Sequence, residues 1–162
     1  MFNGELIRLA ANVLVAARAK GLTIATAESC TGGLIAGLLT EIAGSSDVVD
    51  RGFVTYSNAA KEEMLGVARD LLVAHGAVSE PVAAAMAQGA LAHSNAQVSV
   101  AVTGIAGPGG GSAEKPVGLV YIAAMREGGT AVVERHLFGD IGREQVRLAT
   151  VEAALTLLKS LI

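Results

Sequence analysis

At 162 residues and 52% hydrophobic side chains, the chain is long enough to bury one sizeable core and short enough to form a single domain, 1–162. Twelve basic and 15 acidic residues give a formal charge of -3 with no block of either sign, and with 3% aromatics and no Trp the chain lacks the basic, stacking surface of a nucleic-acid binder. Apolar runs fall far short of the ~20 residues of a membrane span, Glu5, Arg8 and Arg18 interrupt any signal-peptide pattern, and one Cys excludes an internal disulfide framework, which together predict a cytoplasmic protein.

Leu6, Ala10, Val13, Leu14 and Ala17 recur at helical spacing between Asn3 and Lys20, and Gly21 supplies a stop. Thr23 to Ala27 reads as a strand running into Glu28-Ser29, and Leu34 to Ile42 as a buried helix ended by Gly44. After the turn GSSD, Gly52 to Ser57 (GFVTYS) is a second predicted strand and Ala59 to Leu65 a short helix. Ser79 is the predicted cap of an Ala-rich helix Val82 to His93, with Pro81 in its first turn. Gln97 to Thr103 is a strong strand, followed by the glycine-dense loop Gly104 to Gly118. Such long ordered loops are disproportionately functional. Leu119 to Met125 and Ala131 to Phe138 form a hairpin around Glu127-Gly128-Gly129, and Gly142 to Ile162 closes the chain as a helix with Val146, Ala149, Ala153, Leu157 and Leu161 on one stripe. The order implies a layered α/β domain whose mixed β-sheet is flanked by helices.

Familiar signatures fail. Ser112 stands where G-x-G-x-x-G needs its third glycine, Lys115 follows Glu114 rather than the glycine of a phosphate loop, and neither Ser29 nor Ser112 sits in G-x-S-x-G. His75, His93 and His136 have no metal-ligand spacing, so no metal is expected. What remains clusters at strand ends: Glu28 and Ser29 after one, Thr103 and Gly104 after another, Tyr56 at the end of a third. In open α/β sheets such ends line the ligand crevice, and glycine-rich backbone offers N–H groups to anions, which suggests a phosphorylated small molecule. Each residue also has a plainer reading. Ser29 or Thr31 can cap the following helix, Cys30 can be core packing, and Gly32 and Gly33 allow close approach of a helix or a ligand. Lys61 and Arg143 are by default solvated charges.

Four stretches carry a resemblance: AESCTGG (27–33), GSSDVVDRGFVTYSNAAK (44–61), GAVSEPV (76–82) and TGIAGPGGGSAEKPVG (103–118). In order and spacing they closely resemble the C-terminal domain of the competence/damage-inducible protein CinA, whose stand-alone members are nicotinamide mononucleotide deamidases. The chain lacks the molybdopterin-binding-like domain of longer members and so resembles the stand-alone form. The resemblance implies a metal-independent amidohydrolase, without cofactor, that converts nicotinamide mononucleotide and water to nicotinate mononucleotide and ammonia through a serine and lysine pair. It implies self-association too, here expected as a homodimer, while the acidic charge, scarce aromatics and short apolar runs argue for no nucleic-acid or membrane partner. Carried over by motif, the catalytic candidates are Ser46, Lys61, Ser29 and Tyr56, and the substrate-binding candidates are Glu28, Thr31, Gly32, Thr103, Gly104 and Arg143.

Between the serines, Ser46 in its irregular turn is favoured as nucleophile, with Ser29 orienting or binding substrate. A lysine base must be largely neutral near pH 7, so its pKa must fall by about 3 from ~10.4, at a cost of roughly 4 kcal/mol. A non-catalytic nucleotide-binding regulatory module is the alternative function.

Overall fold

The computed structural model describes residues 2–162. Helix α1 (Gly4–Ala19) starts where the Asn3 side chain accepts a hydrogen bond from Leu6 N, and it buries Leu6, Ala10, Val13, Leu14 and Ala17, the stripe that the 3.6-residue period marks. Strand β1 (Ile24–Glu28), helix α2 (Leu34–Thr40), strand β2 (Val49–Val54), helix α3 (Asn58–Leu65), helix α4 (Arg69–His75) and helix α5 (Glu80–Ala92) follow. Then come strands β3 (Val98–Gly104), β4 (Leu119–Arg126) and β5 (Val132–Leu137), and helix α6 (Arg143–Ser160). The sheet order is β2-β1-β3-β4-β5, parallel across its first three strands and antiparallel for β4 and β5, which is the mixed sheet expected. No helix among the described residues is long and apolar enough to cross a membrane.

Alternation along the strands makes two unlike faces. Ile24, Val98, Val100, Val102, Val120 and Ile122 meet α1, α2 and α6, whereas Ala25, Ala27, Ala101 and Ala123 meet α5 with Leu65, Val67 and Leu72. Fully burying a branched side chain contributes about 1.5–3 kcal/mol, so the first face carries more of the hydrophobic stabilisation per residue. The alanine face compensates by close approach. A Cβ at Gly89 of α5 would overlap the Leu65 carbonyl of α3. Gly89→Ala is therefore expected to cost roughly 1–3 kcal/mol through overpacking, although Ala is the better helix former. Urea unfolding of the variant, read as a lower midpoint at unchanged slope, measures it.

Several expectations shift. Strand β2 begins at Val49, three residues before the predicted Gly52, because the edge residues Val49 and Arg51 already pair with Ile24 and Ala25, and the chain leaves the sheet at Thr55. Helix α4 has no counterpart among the expected elements. Ser79 occupies the cap position of α5, but its hydroxyl donates to Gly76 O at 2.8 Å instead of accepting from the helix. In α6 the buried face runs through Val146, Thr150, Val151, Ala154, Leu155, Leu157 and Leu158, with Ala149, Ala153 and Leu161 at its margin. Thr150 is tolerated inside because its hydroxyl donates to Val146 O at 2.7 Å.

Candidate active site

Three chain reversals meet at one edge of the sheet. Strands β1 and β3 both end there, Glu28 pairs with Val54 at the end of β2, and the chain after β2 turns into α3. A cavity of about 300 Å³ opens at this edge, with Ser29, Lys61, Thr103, Tyr56 and Arg143 among its lining residues. This is the crevice position that parallel α/β sheets favour.

Lys61 lies on α3 one helical turn before Leu65, and that shared face points inward. The side chain is 1% exposed. Its Nζ donates to Thr55 O at 2.9 Å and stands 3.1 Å from Ser29 Oγ. Burial holds the Lys61 ammonium below its usual pKa of 10.5, because the charged form loses its hydration. A lysine so placed is biased toward the neutral amine that a general base requires.

Ser29 directly follows β1, and its amide N–H donates to Val102 O of β3 at 3.1 Å, which anchors the residue to the sheet. Beneath it, the fully buried Glu28 carboxylate accepts from Ile35 N at 2.9 Å, Ala36 N at 3.0 Å and Thr31 Oγ1 at 2.6 Å. The α2 cap residue is Gly33, in a left-handed conformation (φ 99°) and without a side chain to serve those amides. Glu28 supplies what the cap lacks, and neither Ser29 nor Thr31 caps α2. Glu28, Thr31 and Gly32, expected to bind substrate, are not among the residues lining this cavity. Glu28 and Thr31 are both fully buried and bonded to one another, so neither side chain is available to a ligand.

Ser46, the favoured nucleophile in the sequence, lies elsewhere. It sits exposed in the short 3-10 turn Ser45–Asp47 before β2, and Arg18 holds that turn through Asp47 and Gly44 O. Lys61 follows β2. The six-residue strand between them puts the two at opposite ends of the sheet, roughly 20 Å apart by strand rise. The structure brings Ser29, not Ser46, to Lys61.

Thr103 and Gly104 end β3 on the cavity wall. Thr103 Oγ1 donates to Ala77 O at 2.9 Å, and a Cβ on Gly104 would collide with Val120 and the Leu119 carbonyl. At the mouth Arg143, the first residue of α6, donates to Tyr56 OH and to Gly107 O, each at 2.9 Å. Asn58, the first residue of α3, also lines the cavity; it falls just before the helix expected from Ala59 and carried no functional signal in the sequence. Arg147 was missed as well: it donates to Cys30 O at 3.1 Å and Thr31 O at 3.0 Å from one turn further along α6. Only a tertiary contact more than a hundred residues long reveals it.

Cys30 lines the cavity beside Ser29 but is 5% exposed, and burial pushes its thiol up to about 12. Near pH 7 only about one thiol in 100,000 is ionised at that pKa, and the thiolate is the reactive form. Iodoacetamide at neutral pH is therefore expected to leave activity intact and Cys30 unmodified by mass spectrometry. His75, His93 and His136 lie on α4, after α5 and on β5, and do not line this cavity. A further depression of about 390 Å³ lies between α1 and α6, lined by Glu5, Gln145, Glu152 and Thr156 among others, and the Thr156 hydroxyl there donates to Glu152 O at 2.9 Å.

The fold and site together define a layered α/β protein with a serine–lysine pair at the carboxyl edge of its parallel strands. The model of the CinA C-terminal domain matches residues 6–162, and the chain belongs to that family. It is 49% identical over 157 residues to the nicotinamide-nucleotide amidohydrolase PncC of Escherichia coli K12, spanning 97% of this chain and 95% of that one. It is 55% identical over 141 residues to a CinA-like protein of Syntrophobacter fumaroxidans, where the match takes in 87% of this chain but only 33% of the longer relative. The crystal structure of the competence/damage inducible protein CihA of Agrobacterium tumefaciens superposes with a TM-score of 0.98 at 57% identity, covering 99% of this chain and 98% of that one.

Proposed function

We propose that this protein is a nicotinamide-nucleotide amidohydrolase that hydrolyses nicotinamide mononucleotide to nicotinate mononucleotide and ammonia, with Ser29 as nucleophile and Lys61 as its base. The relationship to the E. coli amidohydrolase over nearly the whole of both chains supports the reaction. The observation that carries the mechanism is the 3.1 Å approach of buried Lys61 Nζ to Ser29 Oγ inside a cavity.

In the first step the neutral Lys61 amine takes the Ser29 hydroxyl proton as Oγ attacks the carboxamide carbon. The resulting ammonium then protonates the departing nitrogen, so one group serves as base and acid, and an acyl-Ser29 ester and ammonia result. Water, deprotonated by the same amine, cleaves the ester and releases the carboxylate. With Lys61 neutral, Arg143 is the one charged side chain among the described residues lining the cavity, and its positive charge suits an anionic substrate. Arg143 at the mouth takes the phosphate in this reading, with Tyr56 beside it and the backbone of Thr103 and Gly104 along the wall.

Ammonia release from nicotinamide mononucleotide by the purified protein tests the reaction, and an acyl adduct on the Ser29 peptide tests the mechanism. Binding of the nucleotide without ammonia release would overturn the reading in favour of a nucleotide-binding regulatory module. We further propose that the protein works in the cytoplasm as a homodimer. Val132 and Leu137, exposed on the edge strand β5, support self-association. Light scattering that returns the mass of one chain would overturn the dimer.

A further inference from the structure

We propose that Arg147 is a positioning residue for hydrolysis: its guanidinium clamps the Cys30 and Thr31 carbonyl oxygens and so fixes the turn that presents Ser29 and the amide N–H groups following it. The inference rests on the amidohydrolase reading above. Arg147 is half-buried in the first turns of α6 and spends two donors on two successive carbonyls, at 3.1 and 3.0 Å. A planar guanidinium presents its N–H groups in a rigid fork, so bonding two neighbouring carbonyls fixes the orientation of both peptide planes.

The planes matter because a trans peptide sets each N–H antiparallel to the preceding carbonyl. With Cys30 O and Thr31 O drawn toward Arg147, the Thr31 and Gly32 N–H groups are directed the opposite way. Gly32 N–H is spent on Ser29 O at 3.0 Å, closing the turn. Neither Cys30 N–H nor Thr31 N–H meets a backbone carbonyl acceptor among the described residues, and Cys30 lines the cavity beside Ser29, so the Cys30 N–H, held in the clamped turn, is the donor nearest the oxyanion that forms at the carbon attacked by Ser29. Below, Glu28 holds Thr31 Oγ1 and the start of α2, so the turn is gripped from two sides by groups of opposite charge. The field of Arg147 also reaches the reacting edge. At the Cys30 thiol burial dominates and raises the pKa, while Arg147 acts in the opposing sense and favours negative charge there.

Because Arg147 lies outside the cavity lining, its loss should act on the transition state and leave substrate affinity in place. Removal of one oxyanion donor costs about 100- to 1,000-fold, and a misplaced donor less, so Arg147→Gln is expected to lower kcat by roughly 10- to 100-fold with KM within about threefold. Steady-state ammonia release with nicotinamide mononucleotide, beside a thermal unfolding scan of each variant, makes the measurement. Unchanged kcat, or a raised KM at unchanged kcat, overturns the proposal. Should Arg147→Gln fail to fold, Arg147→Lys decides: it keeps the charge but not the fork, and wild-type kcat in that variant overturns the clamp, whereas a kcat lowered at constant KM upholds it. A wild-type protein inert on the nucleotide sinks the amidohydrolase reading instead. Amide hydrogen exchange then still tests the clamp, which requires faster exchange at Thr31 and Gly32 in Arg147→Lys with the sheet unchanged.

Discussion

Ser29→Ala is expected to reduce ammonia release by about 10,000-fold or more, the scale on which loss of a nucleophile in a hydroxyl-based site is felt. Ser46→Ala is expected to stay within about twofold. The contrast follows from placement. Ser29 Oγ lies 3.1 Å from Lys61 Nζ, while Ser46 is exposed on the far side of β2, among contacts made by Arg18. Parallel assays of the two variants, with intact-mass spectra taken during turnover of a slow amide substrate, check it. An acyl adduct that survives Ser29→Ala, or a Ser46→Ala enzyme without activity, would remove Ser29 from the mechanism.

Lys61→Met is expected to abolish turnover while strengthening the fold, a pairing that ordinary core substitutions do not give. Methionine fills much of the same space and needs no proton. The wild-type rate should climb with pH along a limb whose apparent pKa lies below 10.5, because burial lowers the Lys61 pKa and only the neutral amine accepts the Ser29 proton. Stability follows the same group. Between the lowered folded pKa and the ordinary value, the unfolded chain keeps a proton that the folded chain has shed, so unfolding free energy rises with pH across that window. Below the window the folded protein bears the full cost of a buried ammonium, and above 10.5 the cost is gone. In Lys61→Met this pH-dependent component should vanish. Urea unfolding of both proteins at several alkaline pH values, taken as a difference, isolates it, and a difference that stays constant with pH would contradict the lowered pKa.

Much of the fold was written locally. The apolar stripe and the Gly21 stop gave α1 within a residue at each end, and the alternating runs gave β1, β3 and the β4–β5 hairpin. Helix α4 escaped because Ala68, at its cap, offers no side-chain acceptor. The site was legible in its parts and not in its pairing. Sequence distance made Ser46 look like the nearer partner of Lys61, although a strand lies between the two and carries them to opposite ends of the sheet. Glu28 looked like a ligand group because a carboxylate after a strand often is one. Its hydrogen bonds to the first amides of α2, which Gly33 leaves without a side-chain cap, depend on which way the side chain turns. Arg147 carries no local signal, since its partners are carbonyl oxygens that every residue possesses.

Strands β3 and β4 run antiparallel, with Gly104 paired to Val120 at the very edge where the cavity opens. The glycine loop 105–118 thus leaves and returns through neighbouring strands about 4.8 Å apart, like an arch standing on two adjoining piers. Loop residues 105–107, 109 and 110 form part of the cavity wall, while Ser29 and Lys61 stand on other elements altogether. The shape of the pocket and its serine–lysine pair are thus carried by separate parts of the chain.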